Sequence, residues 1–196
     1  MSFTTLGPYA VILLIVAGLA LVVLRDWRWM ILSLAALYVG VFLLVGVSWP
    51  LNLAIIKLVG GWMAGAALGI SQVGQHSLEA EKSWPAGRMF RLLAAGLVLL
   101  AVFSILPRVQ NVFPEIDLAI LQGSLVILTM GLLQLGMTGQ TFRVITGLLT
   151  VLAGFEVLYA ALESSVLVAG LLAGVNLSLA GVGAYLLSMG ETEKGK

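Results

Sequence analysis

Of the ten Lys/Arg and nine Asp/Glu residues in this 196-residue chain, only Lys57 and Glu156 fall inside long apolar runs. Glu156 lies in Val151-Leu152-Ala153-Gly154-Phe155-Glu156-Val157-Leu158-Tyr159. An acidic side chain near the centre of a membrane helix costs roughly 2.5–3.5 kcal/mol to insert, so it faces the bundle interior and has a partner or a task. That task is either to accept and pass on a proton or to serve as a hydrogen-bonded structural group. Lys57 and Glu156 each stand six residues inside one end of their run, about 9 Å deep at a rise of about 1.5 Å per residue. Equal depth permits an ion pair. The long stem of Lys57 equally permits it to snorkel to the headgroups. Asn176 is the third polar residue, near the middle of the last run on a face of small residues (Ala169, Ala173, Ala180, Gly183). Its amide donates and accepts hydrogen bonds but does not titrate, so it extends a path without carrying charge. Gln122 and Gln134 are available to the same network. These types at these depths suit either a proton relay on Glu156, tuned or extended by Asn176 and Lys57, or a structural hydrogen-bond network among the same residues.

Other chemistry is excluded by composition. The chain has no Cys and one His, His76, so it has no disulfide, no Cys-ligated metal and no iron–sulfur cluster. No Walker loop, metal-binding His pair or nucleophile–base motif is present, and Gly181-Val182-Gly183 lies in an apolar run without the strand a dinucleotide site needs. No catalytic residue and no cofactor is expected. A net charge of +1 without a basic run argues against nucleic acid as a partner.

The elements that position these residues follow from the apolar pattern. Hydrophobic residues make up 61% and charged residues 10%, against about 25% charged in a soluble domain, so the bilayer is the solvent. Runs of spanning length predict seven helices, near Pro8–Leu24, Trp29–Val47, Leu51–Val73, Arg91–Leu106, Leu118–Met137, Phe142–Leu162 and Val166–Leu187. The expected fold is all-α, a polytopic bundle, in four parts: a four-helix half (1–106), an outer linker (107–117), a three-helix half (118–187) and a cytoplasmic tail (188–196). Pro107 and Pro114 bracket the linker, and proline predicts a helix stop at each. Eight basic residues (Arg25, Arg28, Lys82, Arg88, Arg91, Arg143, Lys194, Lys196) fall on one side of this topology and Arg108 alone on the other. For a bacterial-type plasma (inner) membrane, the positive-inside rule then puts the N-terminus outside and the C-terminus in the cytoplasm. Met1–Gly7 has no basic residue before the first run, which argues for a retained helix rather than a signal peptide.

Packing signals are generic. Gly61, Gly65 and Gly69 recur at four-residue spacing in the third run, as do Gly170, Gly174 and Ser178 in the seventh, and small residues so spaced let helices approach closely. Gly60-Gly61 permits either such packing or a local bulge. Trp27, Trp29, Trp49 and Trp84 mark span ends, where headgroup anchoring is expected. The segment 74–88, with His76, reads as a solvated loop, and Glu163 as a solvated residue at the outer interface.

The last three runs resemble subunit K of the respiratory complex I family and its relatives in cation antiporters and membrane-bound hydrogenases. The resemblance lies in Leu135-Gly136-Met137-Thr138-Gly139 leading to Arg143, then Gly147-Leu148-Leu149 and Gly154-Phe155-Glu156. Asn176, in Val175-Asn176-Leu177-Ser178-Leu179-Ala180-Gly181, stands where that family carries a second membrane glutamate, so a two-carboxylate relay is incomplete here. The first four runs resemble subunit J more weakly, through Lys57-Leu58-Val59-Gly60-Gly61-Trp62-Met63-Ala64-Gly65. The usual tyrosine of that stretch is absent, and Lys57 departs from the pattern. The resemblance implies a non-catalytic membrane subunit of a proton-translocating oxidoreductase of the NADH:quinone type. Its partners would be larger antiporter-type subunits and the lipid bilayer. The alternatives are a membrane scaffold or assembly protein and a stand-alone small transporter.

Overall fold

A computed structural model describes residues 3–73, 87–163 and 165–194. Among these, the chain forms seven helices: α1 (Phe3–Val23), α2 (Trp27–Ser48), α3 (Leu51–Gln72), α4 (Arg88–Val112), α5 (Leu118–Gly136), α6 (Thr141–Leu162) and α7 (Val166–Lys194). All seven are long and apolar enough to cross a membrane. In hydrocarbon an unpaired backbone amide or carbonyl is costly, so apolar runs of this length become helices. Side-chain caps mark two starts. Asp26 accepts from the Arg28 amide at 3.0 Å to open α2, and Asp117 accepts from the Ala119 amide at 2.8 Å to open α5.

Two boundaries differ from expectation for the same reason. α1 begins five residues before Pro8, and α4 runs through Pro107 to Val112, so the linker between α4 and α5 shrinks to residues 113–117. Proline removes one donor, but it is accommodated in both helices, and past Pro107 the backbone still pairs, the Phe113 amide donating to the Val109 carbonyl at 3.0 Å. α7 likewise continues past Leu187 into the expected tail. His76 and Trp84 lie outside the described residues.

The helices form a ring in the order α1, α2, α3, α7, α6, α5, with α2 and α6 meeting across it and α4 outside against α5 and α1. α1 and α2 therefore pack with α5 and α6 as one four-helix group, and α2 and α6 pack with α3 and α7 as another. Helices of the expected halves 1–106 and 118–187 pack on one another, α1 on α5, α2 on α6 and α3 on α7. One apolar core runs from Ala10 and Leu14 through Leu37 and Leu68 to Leu149, Val157 and Ala180.

Glycine sets the closest approaches. A Cβ at Gly154 would stand 2.8 Å from the Leu128 amide nitrogen and 3.0 Å from the Ser124 carbonyl oxygen. One at Gly131 would stand 2.8 Å from the Val151 nitrogen. The α5–α6 hairpin thus packs backbone against backbone, which suits a medium where dispersion and close fit hold helices together. At the other end of α6, Gln134 donates to the Arg143 carbonyl at 2.9 Å and to Thr146 Oγ1 at 2.8 Å, tying the hairpin near its turn. Arg143 and Arg91, both buried, donate to the Leu24 and Val22 carbonyls at the C-terminal end of α1. These carbonyls lack helical partners and carry the negative end of the helix dipole, so two guanidinium groups suit them.

Candidate functional site

The second four-helix group contributes one polar side chain from each helix to a single cluster. α2 supplies Tyr38, α3 Lys57, α6 Glu156 and α7 Asn176, and each is at most 2% exposed. Lys57 Nζ donates to Glu156 Oε1 at 2.8 Å. Asn176 Nδ2 donates to the same oxygen at 3.1 Å, and the Tyr38 hydroxyl donates to Asn176 Oδ1 at 3.2 Å. Lys57 Nζ also lies 3.4 Å from the Ala169 carbonyl on α7. The two alternatives for Lys57 are resolved: it pairs with Glu156 rather than reaching for the headgroups.

Helix geometry explains the cluster. α3 packs on α2 and α7, and α6 packs on α5, α7 and α2, so the Lys57 stem extends from α3 toward α6 between α2 and α7. Asn176 and Tyr38 each stand ten residues from the near end of their helices, about 15 Å deep by helical rise, against about 9 Å for Lys57 and Glu156. The polar chain therefore descends from the Lys57–Glu156 pair to the bilayer centre. Further along α6, the buried Thr150 and Thr146 turn their hydroxyls to backbone carbonyls of their own helix. Two turns past Asn176, a Cβ at Gly183 would meet Ile145 at 2.8 Å and Leu68 at 3.0 Å, so α7 packs closely on α6 and α3 there.

The two carboxylate oxygens differ sharply. Oε1 accepts both donors, whereas Oε2 is buried and has no hydrogen-bond partner among the described residues. Oε2 is thus the oxygen whose lone pairs no donor among the described residues occupies. Among the described residues, no cluster of three or more His, Cys, Asp or Glu side chains could hold a metal ion. The ionisable chemistry of this cluster is that of one Lys–Glu pair with a neutral amide and a phenol attached.

The remaining expected residues are placed as follows. Gln134 bonds to the α5–α6 hairpin and stays apart from the cluster. Gly60 and Gly61 form no bulge, since α3 is α-helical throughout. Gly61 instead admits the Tyr38 ring, which a Cβ there would overlap, and a Cβ at Gly60 would sit 4.0 Å from Ala173. Gly65 and Gly69 face Leu34 and Ile31 on α2, at 3.9 and 3.1 Å from an added Cβ. The α7 stripe behaves differently from the expected packing face. Gly170, Gly174 and Ser178 are exposed, and a Cβ at either glycine meets nothing within 4 Å. At 3.6 residues per turn the opposite face, with Ala169, Asn176, Ala180 and Gly183, is the one turned inward. Trp49 is no headgroup anchor either: it is buried, and its indole donates to the Glu163 carbonyl at 3.2 Å, joining the ends of α2 and α6. Trp29 is exposed, and Glu163 is exposed at the end of α6.

Tyr38 is the member that sequence reasoning missed. Its signal was depth, since a lone phenol ten residues inside α2 lies level with Asn176. Compared with known proteins, the chain matches no protein-family model, no curated protein and no solved structure.

Proposed function

We propose that this chain is a small integral membrane subunit of a complex I-like, hydrogenase-like or antiporter-like assembly, contributing to proton or cation translocation coupled to electron transfer. The observation that carries the reading is the buried Lys57–Glu156 pair with one bare carboxylate oxygen. A fully hydrogen-bonded carboxylate would suit a purely structural role, whereas a bare oxygen is a place for an arriving proton. Glu156 Oε2 accepts the proton, Lys57 balances the charge of the empty carboxylate, and Asn176 holds Oε1. Once Glu156 is protonated the pair loses its attraction, and Lys57 keeps the Ala169 carbonyl as a neighbour. The motifs around Gly136, Arg143 and Gly154 that resemble subunit K support the same assignment.

In this reading the N-terminus is outside, the C-terminus is cytoplasmic, and the chain resides in a plasma (inner) membrane beside larger antiporter-type subunits. Any redox centre belongs to those partners. The test is Glu156→Gln in the assembled complex. Loss of proton or sodium translocation with intact assembly is the expected result, and unchanged translocation would sink the relay.

A second reading, a membrane scaffold, is favoured by the outward-facing Gly170, Gly174 and Ser178 on α7. It expects Glu156→Gln to be silent, while a bulky residue at Gly174 breaks association with partners.

A further inference from the structure

The two oxygens of Glu156 are made unequal from a distance. A carboxylate only accepts hydrogen bonds, so Asn176 must turn its NH2 group toward Oε1 and its own oxygen away. That amide oxygen is then buried and needs a donor. The Tyr38 hydroxyl, 3.2 Å away, has a single proton and gives it there. The phenol reaches this position because α3 presents a glycine to its ring: a Cβ at Gly61 would overlap the Tyr38 ring atoms. Gly61 lies one helical turn from Lys57 on the same face of α3. One face of one helix therefore supplies both the cation on Oε1 and the slot that seats the phenol.

We infer that Gly61, Tyr38 and Asn176 form a positioning arm that keeps both donors on Glu156 Oε1 and leaves Oε2 as the proton-accepting atom. This rests on the proton-exchanging role proposed for Glu156. The arm has a fixed polarity, hydroxyl to amide to carboxylate. Removing the hydroxyl frees the amide to rotate, and the rotated amide offers its oxygen to Glu156, which favours the protonated acid as a donor. The groups facing Glu156 are Tyr38 from α2, Lys57 from α3, and Asn176 with the Ala169 carbonyl from α7. α5, also packed on α6, carries no ionisable residue between 118 and 136.

The test uses the full chain in lipid nanodiscs with carbon-13-labelled glutamate, read by infrared difference spectroscopy at a fixed pH of about 7. Glu156→Gln identifies the bands of this residue. Tyr38→Phe keeps the ring in its slot and removes only the hydroxyl. It is expected to raise the ratio of protonated to ionised Glu156 by about two- to ten-fold, the range of one ordinary hydrogen bond. Gly61→Ala is expected to move the ratio in the same direction by displacing the ring. In an Asn176→Ala background, Tyr38→Phe is expected to change nothing further, since the phenol then has no amide to hold. A Tyr38→Phe ratio equal to wild type overturns the arm. So does a full Tyr38→Phe effect in the Asn176→Ala chain, which decides the matter even if Gly61→Ala does not fold. These bands report on Glu156 whether or not ions move. A silent Glu156→Gln in translocation therefore ends the proposed function and leaves the arm standing.

Discussion

Replacing Lys57 with Met deletes the ammonium while keeping most of the stem that fills the space between α3 and α6. At the observed 2.8 Å, unit charges attract by about 6 kcal/mol at an effective dielectric constant of about 20. Removing both ions from water consumes several kcal/mol each, so the net worth of the intact pair is small. Breaking it is another matter, because one ion is left buried and alone, at about 3–5 kcal/mol. Lys57→Met is therefore expected to lower stability by about 3 kcal/mol, a factor of more than 100 in the unfolding equilibrium, and Glu156→Gln by a similar amount. The double variant replaces both ions with neutral groups of similar volume and is expected to regain about 2–3 kcal/mol relative to the sum of the singles. Reversible unfolding in detergent–SDS micelles measures all four corners of this cycle. Two single losses that add to within about 0.5 kcal/mol would show that the side chains do not sense one another, and would refute the paired, desolvated arrangement.

Other substitutions probe the packing and the topology. Gly154→Ala is expected to destabilise by about 1–3 kcal/mol, because its methyl meets backbone atoms of α5 that cannot move aside, and thermal unfolding in detergent reads the loss. Gly174→Ala meets only open space and is expected to stay within about 0.5 kcal/mol of wild type in the isolated chain. Arg143→Gln removes the guanidinium from the end of α1, and a loss of about 1–2 kcal/mol is expected in the same assay. The chain is naturally free of cysteine, so single cysteines report topology directly. Asn111→Cys is expected to react with an impermeant maleimide from the outside of intact cells, and Gln140→Cys only after lysis.

The seven helices were legible because hydrocarbon forces every long apolar run to pair its backbone within itself. The true extent of α4 was less legible: local proline preference predicted a stop at Pro107, and the helix instead carries the proline through to Val112. Glu156, Lys57 and Asn176 stood out because polar groups in apolar runs are costly. Equal depth made the Lys57–Glu156 pair conceivable. What sequence could not supply was the ring order that puts α7 and α2 on either side of the space between α3 and α6. Tyr38 went unnoticed because a tyrosine in an apolar run counts as hydrophobic until its hydroxyl finds a partner. Within the chain the glycine pattern is used only in part. Spacing of four identified a packing face on α3, but on α7 it marked the outward face, since spacing alone does not say which side of a helix the neighbours occupy.

The depth of the Lys57–Glu156 pair also has an electrical meaning. Six residues from the helix ends is about 9 Å into a hydrocarbon layer of about 30 Å, or about one third of the way across. A proton reaching Glu156 from the near side crosses about a third of the membrane field, and one leaving to the far side crosses the rest. With about 2.3 kcal/mol per elementary charge per 100 mV across the whole layer, the first step carries about 0.8 kcal/mol and the second about 1.5 kcal/mol. In the proposed relay, occupancy of this carboxyl from the near side is therefore expected to be weakly voltage-dependent, changing about four-fold per 100 mV. The larger share of the field falls on the far side of the cluster, toward Gly183, Ile145 and Leu68.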